Sequence, residues 1–185
     1  MDKQTLLPLL LSIFREFGYE GASLSKISQV TGLGKASLYH HFPNGKQQMA
    51  QEVLDYLEQW REEHIFIHLQ SNVSPLARLE LFTSALKQVY ENGHVACILA
   101  VLTLSEAHSI FIPQIAPVFT RLIQSIAQVL QDAGITEEKA LEHAQDSVIR
   151  IQGSLILSRA LQSPEPFSQL MERLPKQLLR GALLS

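Results

Sequence analysis

The 185-residue sequence predicts an all-α protein, with a three-helix head carrying a helix-turn-helix and a larger helical body behind it. Apolar residues recur at helical spacing along almost the whole chain, and no alternating run stands between turn residues as a strand would. Breakers at Gly18, Gly32-Leu33-Gly34, Pro43-Asn44-Gly45, Asn92-Gly93, Gly134 and Ser163-Pro164-Glu165-Pro166 cut the chain into helix-length pieces. Hydrophobic residues make up 46% and charged residues 18%, which excludes a disordered chain.

In the first helix, Leu6, Leu10, Ile13, Phe14 and Phe17 form one stripe ending at Gly18, with Thr5 as the expected N-cap. Pro8 then falls near the first turn, whose amides have no intrahelical partner. Ser23 caps a short second helix with Leu24, Ile27 and Val30 inward, and Lys35 to His41 makes the third. A fourth helix runs from Lys46 to about Gln70 through Met49, Val53, Leu54, Tyr56, Leu57 and Trp60. It joins a head over residues 1–45 to a body over 46–185 without a flexible linker. Ser74-Pro75 starts the next helix, and Asn92-Gly93 stops it. An apolar segment covers Val95 to Leu104. Pro113 opens a helix that ends at Gly134, and Thr136-Glu137-Glu138 caps a long one to about Leu161. Phe167 to Leu184 is a last amphipathic stretch, kinked at Pro175.

Several functions are excluded at this level. The run Leu6-Leu7-Pro8-Leu9-Leu10-Leu11 is short and meets Arg15 and Glu16. A span needs roughly 20 apolar residues, so no membrane partner is expected. A basic start and a small-residue cleavage site are both missing from the N-terminus. Cys97 is the single cysteine, so no internal disulfide forms, which suits a reducing cytoplasm. It lies in an apolar run, with an inert packing role weighed against a redox-sensing one. His64 and His68 share a helix face, either as an ordinary surface pair or as metal ligands lacking further partners. No phosphate loop, nucleophile–base spacing or metal set stands out, so neither an enzyme nor a cofactor is expected.

The net charge of −3 is unevenly spread: residues 1–50 carry +2 and the remainder −5. Phosphate contacts belong at the positive end. There, Ile27, Val30, Leu33 and Leu38 are spaced to close a small core between two crossing helices, and Gly32 sits where the turn needs positive φ. The third helix presents Lys35, Ala36, Ser37, Tyr39 and His40 outward. Its small N-terminal residues suit entry into a major groove, where base edges are read. Lys35 can meet guanine or phosphate, while Ser37, Tyr39 and His40 can donate to phosphate oxygens. Lys46 stands at the start of the fourth helix, where free amides also favour an anion. The competing reading of residues 23–42 is an αα-corner in an ordinary helical protein.

Phe14 to Phe42 resembles the DNA-binding domain of the TetR family. The resemblance rests on Phe17-Gly18-Tyr19, Ser25-Lys26-Ile27, Thr31-Gly32-Leu33 and Leu38-Tyr39-His40-His41-Phe42, followed by Lys46. It implies that Ser25, Lys26, Gly34, Lys35, Ala36, Ser37, Tyr39, His40 and Lys46 lie at or beside positions contacting double-stranded operator DNA. Three departures bear on affinity: Gly34 replaces the usual capping serine or threonine, Gly45 replaces a common lysine, and Lys3 alone occupies a short N-terminal arm.

The same resemblance implies a body that dimerises through its last helices and often holds an effector. Ile149, Gly153, Ile156, Leu157 and Ala160 form one candidate interface stripe, and Phe167, Leu170, Leu174 and Leu178 a second, sufficient for a four-helix interface. Intramolecular core is the alternative for both. Phe82, Leu86, Tyr90, Cys97, Leu99, Thr103, Phe119, Ile123 and Gln152 mix apolar walls with a few polar groups. They suit a small, largely apolar effector, or else plain helix packing. Ala96 to Ala100 and Ser154 to Leu161 resemble the LmrA/YxaF-like branch. The expected function is a ligand-responsive repressor binding a palindromic operator as a homodimer. Its alternative is a regulator with no small-molecule inducer, controlled by a protein or acting as an activator.

Overall fold

Ten α-helices, one π-helical stretch, one 3-10 turn and no strand occur among residues 2–180, the part that the computed structural model describes. Helix α1 (Lys3–Gly21) is capped by Asp2, not Thr5: the Asp2 carboxylate accepts from the Thr5 amide at 2.8 Å and from its hydroxyl at 2.7 Å. The cap therefore lies three residues earlier than expected, and Pro8 sits inside α1 with its ring exposed. At Gly18 (φ 70°, ψ 179°) the regular helix breaks before one further turn to Gly21.

Helices α2 (Leu24–Thr31), α3 (Lys35–His41) and α4 (Gly45–Arg61) follow the expected pieces closely. After Arg61 the helix widens into a π-helical stretch, Glu62–Phe66, closed by the Ile67 amide reaching back to the Glu62 carbonyl. One last turn, α5 (Ile67–Leu69), completes it. Here His64 stacks on Trp60 at 4.6 Å and its Nδ1 lies 2.9 Å from the Trp60 carbonyl, so its ring is engaged within the helix. Helix α6 (Pro75–Val89) is capped by Ser74, and α7 covers Ile98–Thr103. Helix α8 (His108–Asp132) begins five residues before Pro113. Finally, α9 (Glu137–Ala160) and α10 (Glu165–Leu178) form a pair, with Pro175 accommodated inside α10. The end of the stretch expected to reach Leu184 lies outside the described residues.

Helix α8 is long and apolar enough to cross a membrane by length and composition alone, with a mean hydropathy of 1.3. It nevertheless carries Arg121, whose guanidinium forks onto the Glu62 carboxylate and lies over the Phe66 ring at 3.8 Å.

The chain divides into two compact units. Unit 1 holds Met1–Gln59 and Cys97–Ile115; unit 2 holds Trp60–Ala96 and Ala116–Ser185. The core of unit 1 gathers Leu6, Leu10, Phe14, Ile27, Leu38, Phe42, Met49 and Phe111, each fully buried. In unit 2, α10 packs along α9 and α6. The buried face of α9 mixes small residues, Ala140, Ala144, Ser147, Ser154 and Ser158, with Val148, Ile151 and Leu155. Two of its buried hydroxyls donate to carbonyls one turn back, and the Ser158 Oγ accepts from the Phe167 amide at 3.1 Å. No polar group is stranded there, and α10 can approach closely. At Gly93 (φ 100°) an added Cβ would stand 2.9 Å from the Phe167 Cβ, so this turn both needs left-handed backbone and has no room for a side chain.

Candidate nucleic-acid interface

The turn between α2 and α3 is built from the residues expected to make it. Ser23 caps α2 by accepting from the Lys26 amide at 3.2 Å. Gly32 ends it at φ 70°, a conformation that costs a side-chain-bearing residue roughly 1–2 kcal/mol. One detail differs. Val30 is 45% exposed, and the second inward position of α2 is Thr31. Its hydroxyl donates to the Ile27 carbonyl at 2.7 Å, which satisfies the buried oxygen and leaves its methyl group for packing. The Leu33 amide, 3.3 Å from the same oxygen, ties down the turn.

Helix α3 has two distinct sides. Leu38 and the following Phe42 are fully buried, whereas Lys35, Ala36, Ser37, Tyr39 and His40 are all exposed, as are Ser25 on α2 and Gly34 at the start of α3. Gly34 makes no side-chain cap, so the first amides of α3 have no side-chain acceptor at the N-cap. Tyr39 packs against Gly45, where an added Cβ would meet its ring at 3.5 Å; with φ 65° at Gly45, this accounts for a glycine where the family often has lysine.

The other candidate cations have structural partners. Lys26 lies over the Phe17 ring, 3.5 Å from its centroid. Lys46 donates to the Tyr19 carbonyl at 2.7 Å and sits over that residue's ring at 4.4 Å. It thereby fastens α4 to the end of α1. The Tyr19 ring meets Phe111 edge-on at 5.1 Å, and burial raises its hydroxyl above the ordinary phenol range. Lys3 is paired with Glu52 at 2.7 Å, so it lies along α4. The family resemblance put Lys26 and Lys46 beside the expected binding face, but gave no sign that both ammonium groups are held by α1. Thr31, Glu52 and Tyr19, which position these elements, were likewise missed; only Thr31 had a signal, its place four residues after Ile27.

The effector candidates are distributed over both units. In unit 1, Cys97 and Leu99 are buried, while Thr103 is exposed and donates to the Leu99 carbonyl at 2.7 Å. In unit 2, Phe82 and Leu86 are buried core residues, and Tyr90, Phe119, Ile123 and Gln152 are half-buried. The Tyr90 ring meets Phe167 edge-on at 5.8 Å.

The two candidate interface stripes part company. On α9, Ile149 (62%), Ile156 (63%) and Leu157 (53%) are exposed, together with Gly153, Ala160 and Leu161. On α10, Phe167, Leu174 and Leu178 are buried inside unit 2, and Leu170 is half-buried. That second stripe is core within the chain: α10 packs along α9 and α6, and its large side chains fill the space beside the alanines and serines of α9.

Two family descriptions cover the chain. Residues 10–53 match the bacterial regulatory proteins of the tetR family, and residues 75–173 match the C-terminal domain of LmrA/YxaF-like transcriptional regulators. The uncharacterized HTH-type transcriptional regulator YxaF of Bacillus subtilis is 24% identical over 178 residues, covering 94% of this chain and 93% of that one. LmrA, an HTH-type transcriptional regulator of the same organism, is 24% identical over 183 residues, covering 97% of each. Among solved structures, a TetR regulatory protein from Rhodobacter sphaeroides matches with a TM-score of 0.79 at 18% identity, covering 94% of this chain and 96% of that one. A TetR regulator from Legionella pneumophila gives 0.77 at 21% identity, covering 96% and 97%. With an exposed recognition face on α3 and both parts of the chain matched, the protein belongs to the TetR family of DNA-binding transcriptional regulators, in its LmrA/YxaF-like branch.

Proposed function

We propose that this regulator is a cytoplasmic, ligand-responsive repressor that binds a palindromic operator as a homodimer. The observation that carries the reading is the outward face of α3, where Lys35, Ala36, Ser37, Tyr39 and His40 are exposed over a fully buried Leu38. Gly34, Lys35, Ala36 and Ser37 enter the major groove first. Tyr39, His40 and Ser25 reach phosphates beside it. Lys26 and Lys46 act chiefly by holding α2 and α4 in place, adding positive charge near the backbone. Two copies related by the exposed stripe of α9 would present two heads to half-sites one helical turn apart, about 34–36 Å. An effector bound against the half-buried Phe119, Ile123, Tyr90 and Gln152 acts by favouring a dimer whose heads no longer match that spacing.

Lys35→Ala should weaken binding to the operator and lower the salt dependence of the affinity by about 1.8 in log–log slope, as the loss of one cationic contact from each of two half-sites does. Tyr39→Ala should weaken it too. Fluorescence anisotropy with operator duplexes from the regulator's own promoter region reads both, and an unchanged salt slope together with unchanged affinity would refute the assigned face. Phe119→Ala should shift the induction curve and leave affinity without effector unaltered; an identical curve would remove that residue from the effector site. The burial of Phe82 and Leu86 favours plain helix packing over effector contact at those two positions.

A further inference from the structure

In unit 2 the start of α6, the end of α8 and the last turn of α10 frame a cavity of about 670 Å³. That volume lies within the range of small-molecule sites, roughly 300–1,000 Å³. None of the nine effector candidates lines it. Its lining takes apolar groups from Pro75, Leu76, Ala133 and Leu179 and charged side chains from Asp132, Lys176 and Arg180.

The charges are not equivalent. Asp132 already accepts from Arg78 at 2.8 Å and from Gln128 at 2.9 Å. Arg78 is fixed in turn by the carbonyls of Leu69 and Val73. The carboxylate is thus answered within the wall, and Lys176 and Arg180, both exposed, leave the mouth positive. Ser74, the one hydroxyl on the lining, accepts from the Ala77 amide as the α6 cap.

The geometry points to a second ligand site, for a single-chain amphiphile with an anionic head, of which a long-chain carboxylate is the simplest member. An alkyl chain against the apolar walls gains burial, and the head gains charge-assisted hydrogen bonds from Lys176 and Arg180. A nucleotide or sugar finds too few polar partners there. An anionic bilayer meets the acidic excess of residues 51–185, which carry −5, whereas one monomeric amphiphile meets only the local pair of cations.

The test is calorimetric titration of sodium dodecanoate, below its micelle-forming range, into the full-length protein without DNA. Saturable binding of one dodecanoate per chain is expected. Dodecanol, which has the chain without the charge, and the variant K176Q/R180Q should each bind about tenfold more weakly or worse. Both substituted positions are exposed, so circular dichroism should not change. Ala133→Trp, which takes up part of the apolar lining without touching the charges, should weaken binding. No saturable heat with dodecanoate, or equal affinity in K176Q/R180Q, would overturn the assignment. So would co-sedimentation with phosphatidylglycerol vesicles, lost in K176Q/R180Q, by a protein that does not bind free dodecanoate.

Discussion

Truncating Ile156 to alanine probes the proposed pairing at one of its most exposed apolar side chains. This side chain is 63% exposed about one turn before the end of α9, on the same face as Ile149, Gly153, Leu157 and Ala160. Full burial of an isoleucine is worth roughly 1.5–3 kcal/mol, so a partner that covers the exposed part supplies about 1–2 kcal/mol. Alanine keeps the β-carbon, which leaves about 1–1.5 kcal/mol to lose per subunit. In a two-fold interface the change occurs twice, so dimerisation should weaken by about 2–3 kcal/mol, roughly 30- to 150-fold in dissociation constant. Alanine is also the strongest helix former, so α9 itself should not suffer. Sedimentation equilibrium over a wide concentration range reads the change directly. Wild-type protein that stays monomeric at micromolar concentration, or a variant whose curve superposes on it as a dimer, would refute the assignment of this face.

Two further outcomes concern stability. Gly93→Ala should cost several kcal/mol in urea unfolding, because it adds a 2.9 Å clash with the Phe167 Cβ to an unfavourable φ of 100°; a loss under about 1 kcal/mol would mean that the contact between the Gly93 turn and α10 is looser than described. Acid should also destabilise the fold through two carboxylates. The Arg121 hydrogen bonds hold Glu62 below its ordinary 4.5, and the Gln128 and Arg78 hydrogen bonds hold Asp132 below its ordinary 3.8. Each binds protons less readily folded than unfolded. Their contribution is therefore complete above the unfolded values and is lost as pH falls from those values through the lower folded ones. The urea midpoint should drop as pH is lowered below about 5, and Arg121→Met should shrink that drop; an undiminished drop in the variant would discount the Glu62 pair.

The head was readable because its structure is set by local chemistry. Gly32 needs left-handed backbone, Ser23 has an amide to cap, and Leu38 and Phe42 repeat at helical spacing, all within a short stretch of chain. Val30 and Thr31 show where that reasoning stops. Apolar periodicity assigned the inward place to valine, yet threonine takes it because a carbonyl four residues back satisfies its hydroxyl. The cap of α1 was misplaced for a similar reason: Thr5 and Asp2 are both good caps, and Pro8 tolerated either start. Helix α8 begins ahead of Pro113, showing that a proline near a helix start does not fix where the helix begins. In the body, the stripes on α9 and α10 look alike as sequence. Only the packing separates them: Phe167 and Leu174 fill the space left by the alanines and serines of α9, while Ile149 and Ile156 remain outside. Lys46 was correctly placed at the start of α4, but its bond to a carbonyl 27 residues away leaves no trace in local sequence.

The exposed ridge of Ile149, Ile156 and Leu157 on α9, if it pairs two chains as proposed, has a bearing on how much protein a cell must hold. Below the dissociation constant for such pairing, the number of dimers rises with the square of the number of chains, so halving synthesis removes about three-quarters of them. Thermal midpoints should climb with protein concentration for the same reason. The greasy ridge of α9 would thus set a threshold on expression, beneath which target genes escape control with every recognition residue intact.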